Sequence, residues 1–117
     1  DWGLRSQLVS LHRQRGDAAA EALHLEALAA MSPASVEIQV ALADALRRME
    51  RWEESEEAFR EAIAAGGSPR AWEGLGDVLL ETGRAAEALS AYRRVEALFG
   101  ATPTLMEKIE RARSGRR

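Results

Sequence analysis

The chain contains no cysteine, one lysine (Lys108), three prolines and few aromatic residues. Lack of cysteine excludes disulfides and thiolate metal sites and leaves the compartment open. No apolar run approaches the roughly 20 residues that a membrane-spanning helix needs, and no signal-peptide pattern opens the sequence. The Gly-x-x-x-x-Gly-Lys phosphate loop, the Gly-x-Ser-x-Gly nucleophile turn and the His-Glu-x-x-His zinc arrangement are all missing. His12 and His24 fall in different predicted helices, with no carboxylate or second histidine at ligand spacing, so both read as packing or solvated residues. The string Glu53-Glu54, Glu56-Glu57 resembles paired acid–base carboxylates only superficially. It opens a predicted helix, where negative side chains complement the helix dipole. These absences leave no catalytic residue, metal site or cofactor to assign.

What is present favours helices. The 117 residues fit one domain, and 46% hydrophobic content is enough to bury a core. Alanine is abundant, and it loses no side-chain entropy on entering a helix. The net charge of −3 argues against nucleic acid, whose binding needs many cations. Arg111, Arg113, Arg116 and Arg117 form a basic tail, but without aromatic platforms for stacking bases. Residues 34–67 hold four arginines against eight acids, a pattern that reads as a solvated face. Fifteen arginines to one lysine is a bias of the kind GC-rich bacterial genomes produce.

Each proline follows a hydroxyl residue: Ser32-Pro33, Ser68-Pro69 and Thr102-Pro103, at spacings of 36 and 34. A hydroxyl caps a helix by accepting from an orphan N–H, and proline suits the first helical turn. Three helices are therefore expected to start at nearly even intervals. One segment reads Trp72-x-x-Leu75-Gly76-x-x-Leu79, then Gly83-x-x-x-Glu87-Ala88-Leu89-x-x-Tyr92-x-x-Val95. Each half lays apolar or small residues along one helix face, and Gly83 is a helix stop between them. A weaker copy lies 33 residues earlier, through Leu42, Ala43, Leu46, Trp52, Phe59, Ala62 and Ile63. A third lies 34 before that, through Leu8, Val9, Gly16, Leu25, Leu28 and Pro33.

Recurrence in register over about residues 2–100 resembles the tetratricopeptide repeat (TPR) family. The departures are Gln39 and Arg5 at the tryptophan position, Ser55 and Glu21 at a small-residue position, Glu50 at the turn glycine, Leu79 at the first tyrosine, Val95 at the late alanine, and a closing proline displaced to Pro103. The resemblance implies an all-α fold, a right-handed α-solenoid of antiparallel helical hairpins. It divides one domain, 1–117, into repeats at about 2–33, 34–67 and 68–101 and a capping helix at about 103–113. Seven helices are expected: about 3–14, 17–31, 34–49, 52–65, 70–82, 85–99 and 103–113. Small groups (Gly76 with Ala88, Ala43 with Ser55) would sit where helices touch, and Leu42, Phe59, Leu75 and Tyr92 would fill the spaces between hairpins. The abrupt start at Asp1-Trp2 reads as a piece of a longer protein, with Trp2 free to pack on an upstream hairpin or to stay partly exposed.

The resemblance further implies that the first helix of each hairpin lines a concave groove. Its residues would be Ser6, Ser10 and Arg13 in the first repeat, Val40, Asp44 and Arg47 in the second, and Arg70, Glu73, Asp77 and Leu80 in the third. The family's carboxylate clamp would fall on Ser6, Ser10, Ala41, Arg70 and Gly74, where only Arg70 is a cation. The groove is thus expected to be mixed in charge and to lack that clamp. The implied function is capture of a protein or peptide partner, with no cofactor. The alternatives are a self-assembly scaffold, motivated by Trp2 and the apolar side of 105–112, and a regulatory or substrate-presenting segment of a larger enzyme.

Overall fold

The structure, a computed structural model, describes residues 18–32 and 35–115, and these are helical throughout apart from short connections. Six helices follow in order: α1 (Ala18–Met31), α2 (Val36–Arg48), α3 (Trp52–Ala64), α4 (Pro69–Glu81), α5 (Ala85–Phe99) and α6 (Pro103–Arg113). The helix expected over 3–14 lies outside the described residues, as do Trp2 and His12.

Local chemistry sets the helix ends. Ser68 and Thr102 cap α4 and α6, accepting from the Ala71 and Leu105 N–H groups at 3.2 and 3.1 Å. Proline follows in the first turn of each, where no N–H is needed. The expected start at Ser32-Pro33 is not where α2 begins. Its cap is Ser35, whose hydroxyl accepts from the Ile38 N–H at 3.3 Å.

Three helices close with the same pair of backbone bonds. After α4, the Gly83 and Arg84 N–H groups donate to the Leu80 and Leu79 carbonyls. After α2, Glu50 and Arg51 donate to Arg47 and Leu46 in the same way, and after α3, Gly66 and Gly67 donate to Ile63 and Ala62. This closure requires a left-handed residue. Gly83 supplies it at φ 80°, and Glu50 is forced to φ 60°.

Consecutive helices pack on one another, and α2 also touches α4. The packing is therefore a stack of antiparallel hairpins, α2–α3 and α4–α5, flanked by α1 and α6. Ser55 is fully buried and donates to the Ala43 carbonyl at 2.7 Å, so the expected close approach of α2 and α3 includes a hydrogen bond. In α4–α5, a Cβ at Gly76 would lie 2.6 Å from the Tyr92 ring, so the glycine makes room for the aromatic. Phe59 and Tyr92 are both fully buried. Phe59 crosses between hairpins: a Cβ at Gly74 would lie 2.3 Å from its ring carbons. Glu21, at a small-residue position, is only 2% exposed, and Arg48 of α2 reaches it at 2.7 Å.

Candidate peptide-binding groove

The groove forms where α2 and α4 lie side by side. On α2, Ala41, Asp44 and Arg47 line this face one turn apart, Arg48 flanks them on the side of α1, and Arg70 meets them from α4. With Glu21 they line a cavity of about 360 Å³. Arg70 donates to Asp44 Oδ2 at 2.9 Å, and Arg47 donates to Asp44 Oδ1 at 3.3 Å. Three guanidiniums thus converge on the carboxylates of Asp44 and Glu21. The Nε of Arg47 is buried and has no acceptor among the described residues. Arg70 remains 74% exposed despite its ion pair.

Further along α4 the acids are already occupied. Lys108, from α6, places its ammonium 3.3 Å from Glu73 and 3.1 Å from Asp77. Asp77 also accepts from the Tyr92 hydroxyl at 2.6 Å. Burial, and then the hydrogen bond to this carboxylate, push the Tyr92 phenol well above its usual range.

The expected groove residues therefore separate into four groups. Asp44, Arg47 and Arg70 come together as one cluster, and Glu73 and Asp77 come together around Lys108. Val40 and Leu80 are buried in the hydrophobic core and offer no surface for an apolar anchor. Their faces on α2 and α4 turn toward neighbouring helices, so those two expectations are corrected. Ser6, Ser10 and Arg13 lie outside the described residues. At the clamp positions, Gly74 cannot carry a side chain while Phe59 keeps its place, so the clamp has no room there.

Lys108 was not among the expected groove residues. The signal was available: the Ser68-Pro69 and Thr102-Pro103 starts are 34 apart, and adding 34 to position 74 gives 108. Treating α6 only as a cap hid its one lysine. Arg48 was missed because it lies on the flank of α2, and only the buried Glu21 draws it in. Among the described residues, no three His, Cys, Asp or Glu side chains are grouped to hold a metal ion. No described helix is long and apolar enough to cross a membrane.

A stack of helical hairpins whose first helices line one face is a helical-repeat scaffold. A model of the tetratricopeptide repeat family matches residues 40–103, more than half of the chain. The chain belongs to that family. Its fold is similar to the first TPR of Spaghetti (RPAP3) bound to an HSP90 peptide, with a TM-score of 0.85 at 15% identity over 92% of this chain and 86% of that one. It is also similar to the Yersinia enterocolitica type III secretion chaperone SycD in complex with a peptide of the translocator YopD, with a TM-score of 0.78 at 19% identity over 98% and 90%. PcrH in complex with the chaperone-binding region of PopD gives a TM-score of 0.74 at 17% identity over 97% and 89%. At these identities the likeness is one of fold. No curated protein sequence matches the chain.

Proposed function

We propose that the chain is a protein-interaction module that holds a partner's polypeptide segment along the α2–α4 groove, without a covalent step. We further read residues 1–117 as one domain, with repeats at about 2–33, 34–67 and 68–101 and a cap at about 103–113. The observation that carries the binding reading is the Arg47–Arg70 cluster. A buried guanidinium N–H without an acceptor costs free energy until an oxygen reaches it, and Arg70 stands exposed beside it. The acidic part of the groove is half neutralised internally by Lys108. A partner segment that presents a carboxylate or carbonyl oxygens to α2 and α4 fits this surface. The peptide complexes of similar fold support the same reading.

The test is photo-crosslinking from position 70, with position 110 on α6 as the control. A partner captured from position 70 and not from 110, and lost with Arg47→Ala plus Arg70→Glu, is the expected result. Equal capture from both positions, or capture unchanged in the double variant, would overturn the reading. The pair Glu73→Arg and Asp77→Arg is a poorer test, because Asp77 is bonded to the core tyrosine.

A second reading, self-association, is favoured by Leu98, Phe99 and Met106. These are 58%, 50% and 49% exposed near the α5–α6 turn. Sedimentation at several concentrations decides it, and a monomer across the micromolar range sinks it.

A further inference from the structure

The side of α4 facing away from the groove carries a second built surface. Groove residues 70, 73 and 77 follow one helical face, and Trp72, Leu75 and Leu79 follow the same spacing two positions later. Two positions turn an α-helix by about 200°, so the second set looks the opposite way. There, α4 forms the floor between α3 and α5, and the cavity measures about 580 Å³. That volume falls within the ordinary range of ligand pockets, roughly 300–1,000 Å³. Leu75, Leu79 and Ala91 are buried at its base, and the half-buried indole of Trp72 forms a wall.

The rim is cationic on the α5 side. The Arg94 guanidinium lies 5.2 Å from the Trp72 ring centroid and has no ion-pair partner among the described residues. Arg93 has only Glu96, at 3.8 Å. The other rim charges are balanced: Glu87 is gripped by Arg84 at 2.8 and 3.1 Å, and Arg60 by Glu56 at 3.0 Å. Beyond Arg60, on the α3 side, the sign reverses. A neighbouring cleft of about 420 Å³ is lined by Glu53, Glu56, Glu57 and Glu61 around the shared Arg60. The apolar pocket is thus bordered by surplus cations on α5, and the acidic cleft adjoins it beyond Arg60, the residue of α3 that lines both.

We infer that this outer face docks a partner segment with one aromatic or large apolar side chain, carboxylates on its α5 side and cations on its α3 side. The apolar side chain enters over Trp72, the carboxylates meet Arg93 and Arg94, and the cations meet Glu57 and Glu61. The order of charges fixes the orientation of the segment, and the pocket supplies the anchor. This surface is separate from the groove, so one chain can hold two partners at once.

The probe is an acetylated, amidated peptide with phenylalanine between two glutamates and two lysines. Binding is read by NMR from the indole N–H of Trp72, one of only three tryptophans. A saturable Trp72 shift is expected at sub-millimolar peptide. Arg93→Glu with Arg94→Glu should weaken it roughly tenfold or more, and so should Glu57→Lys with Glu61→Lys. All four side chains are exposed, so the fold is kept, and circular dichroism checks this. Arg47→Ala with Arg70→Glu should leave the shift unchanged. No saturable shift at millimolar peptide would overturn the inference. So would equal binding of a glutamine-substituted peptide, or binding indifferent to both charge reversals.

Discussion

Lys108 and Asp77 stand 31 positions apart in sequence and meet at 3.1 Å, α6 reaching back to offset part of the acidic charge of the hairpin before it. Glu73 shares the same ammonium at 3.3 Å. Both carboxylates and the ammonium are largely but not fully covered, at 30%, 23% and 21% exposure, so solvent screens the pair in part. Lys108→Ala is expected to cost about 0.5–1 kcal/mol, read as a lower urea midpoint. It should also leave the groove more negative by one charge, with Glu73 and Asp77 both released from the ammonium. A lysine-rich peptide should then bind the variant more tightly than the parent, by isothermal calorimetry. Equal affinity would show that the two acids are not accessible from the groove.

Tyr92 ties that ion pair to the core. It is the chain's one tyrosine, so its ionisation can be followed directly by near-ultraviolet absorbance. The folded-state value is raised, first by burial and then by Asp77. A raised value means that the stabilisation is complete below the ordinary tyrosine value of 10.0 and is lost as pH rises beyond it. Phenolate should therefore appear only together with unfolding, above pH 10. A separate titration near 10 before any loss of helicity would contradict the buried hydrogen bond. Tyr92→Phe removes a hydrogen bond to a charged group, at a cost of about 1.5–3 kcal/mol.

Glu50 occupies a backbone conformation that suits glycine. At φ 60° it repeats the geometry of Gly83 after α4, with the same two closing bonds. An L-residue pays roughly 1–2 kcal/mol for this region, while glycine loses roughly 0.5–1 kcal/mol more on folding. Glu50→Gly is expected to stabilise by roughly 0.5–1 kcal/mol, and Gly83→Glu to destabilise by a similar amount. Thermal midpoints of the two variants give the comparison. Opposite shifts are expected, and a loss of stability in Glu50→Gly would be evidence against strain.

Much of this was legible in sequence, for identifiable reasons. The helix ends of α4 and α6 follow from Ser68-Pro69 and Thr102-Pro103, because capping is a local interaction. Repeat register foretold the Ser55–Ala43 approach, since small residues at fixed spacing have few other uses, but it paired Gly76 with Ala88 and set Tyr92 between hairpins, whereas the Tyr92 ring lies against Gly76 within α4–α5. The start of α2 was misplaced because Ser32 and Ser35 offer the same hydroxyl, and only the fold chooses between them. Of the expected groove residues, Asp44, Arg47 and Arg70 lie within hydrogen-bonding reach of one another. Val40 and Leu80 do not reach the surface, because one residue of helical rotation decides between groove and core. Lys108 belongs to the long-range part of the structure, where an ion pair between α4 and α6 depends on how the cap docks.

The contact of Phe59 with Gly74 gives the sharpest test of the stacking between hairpins. Cβ atoms rarely come within 3.0 Å of a neighbour, and at Gly74 the added atom would lie 2.3 Å from two ring carbons. The ring is fully buried and cannot swing into solvent. Gly74→Ala should therefore destabilise by overpacking, by about 1–3 kcal/mol, despite alanine's better helix propensity. Phe59→Leu alone removes ring volume and should also destabilise, by leaving a void. Combined, the two changes compensate: the methyl group fills part of the space the ring vacates. The double variant should lose less than the sum of the single losses, measured by urea denaturation of all four proteins. Strict additivity would mean that the two residues do not share one space, and that the α3–α4 junction is looser than this contact indicates.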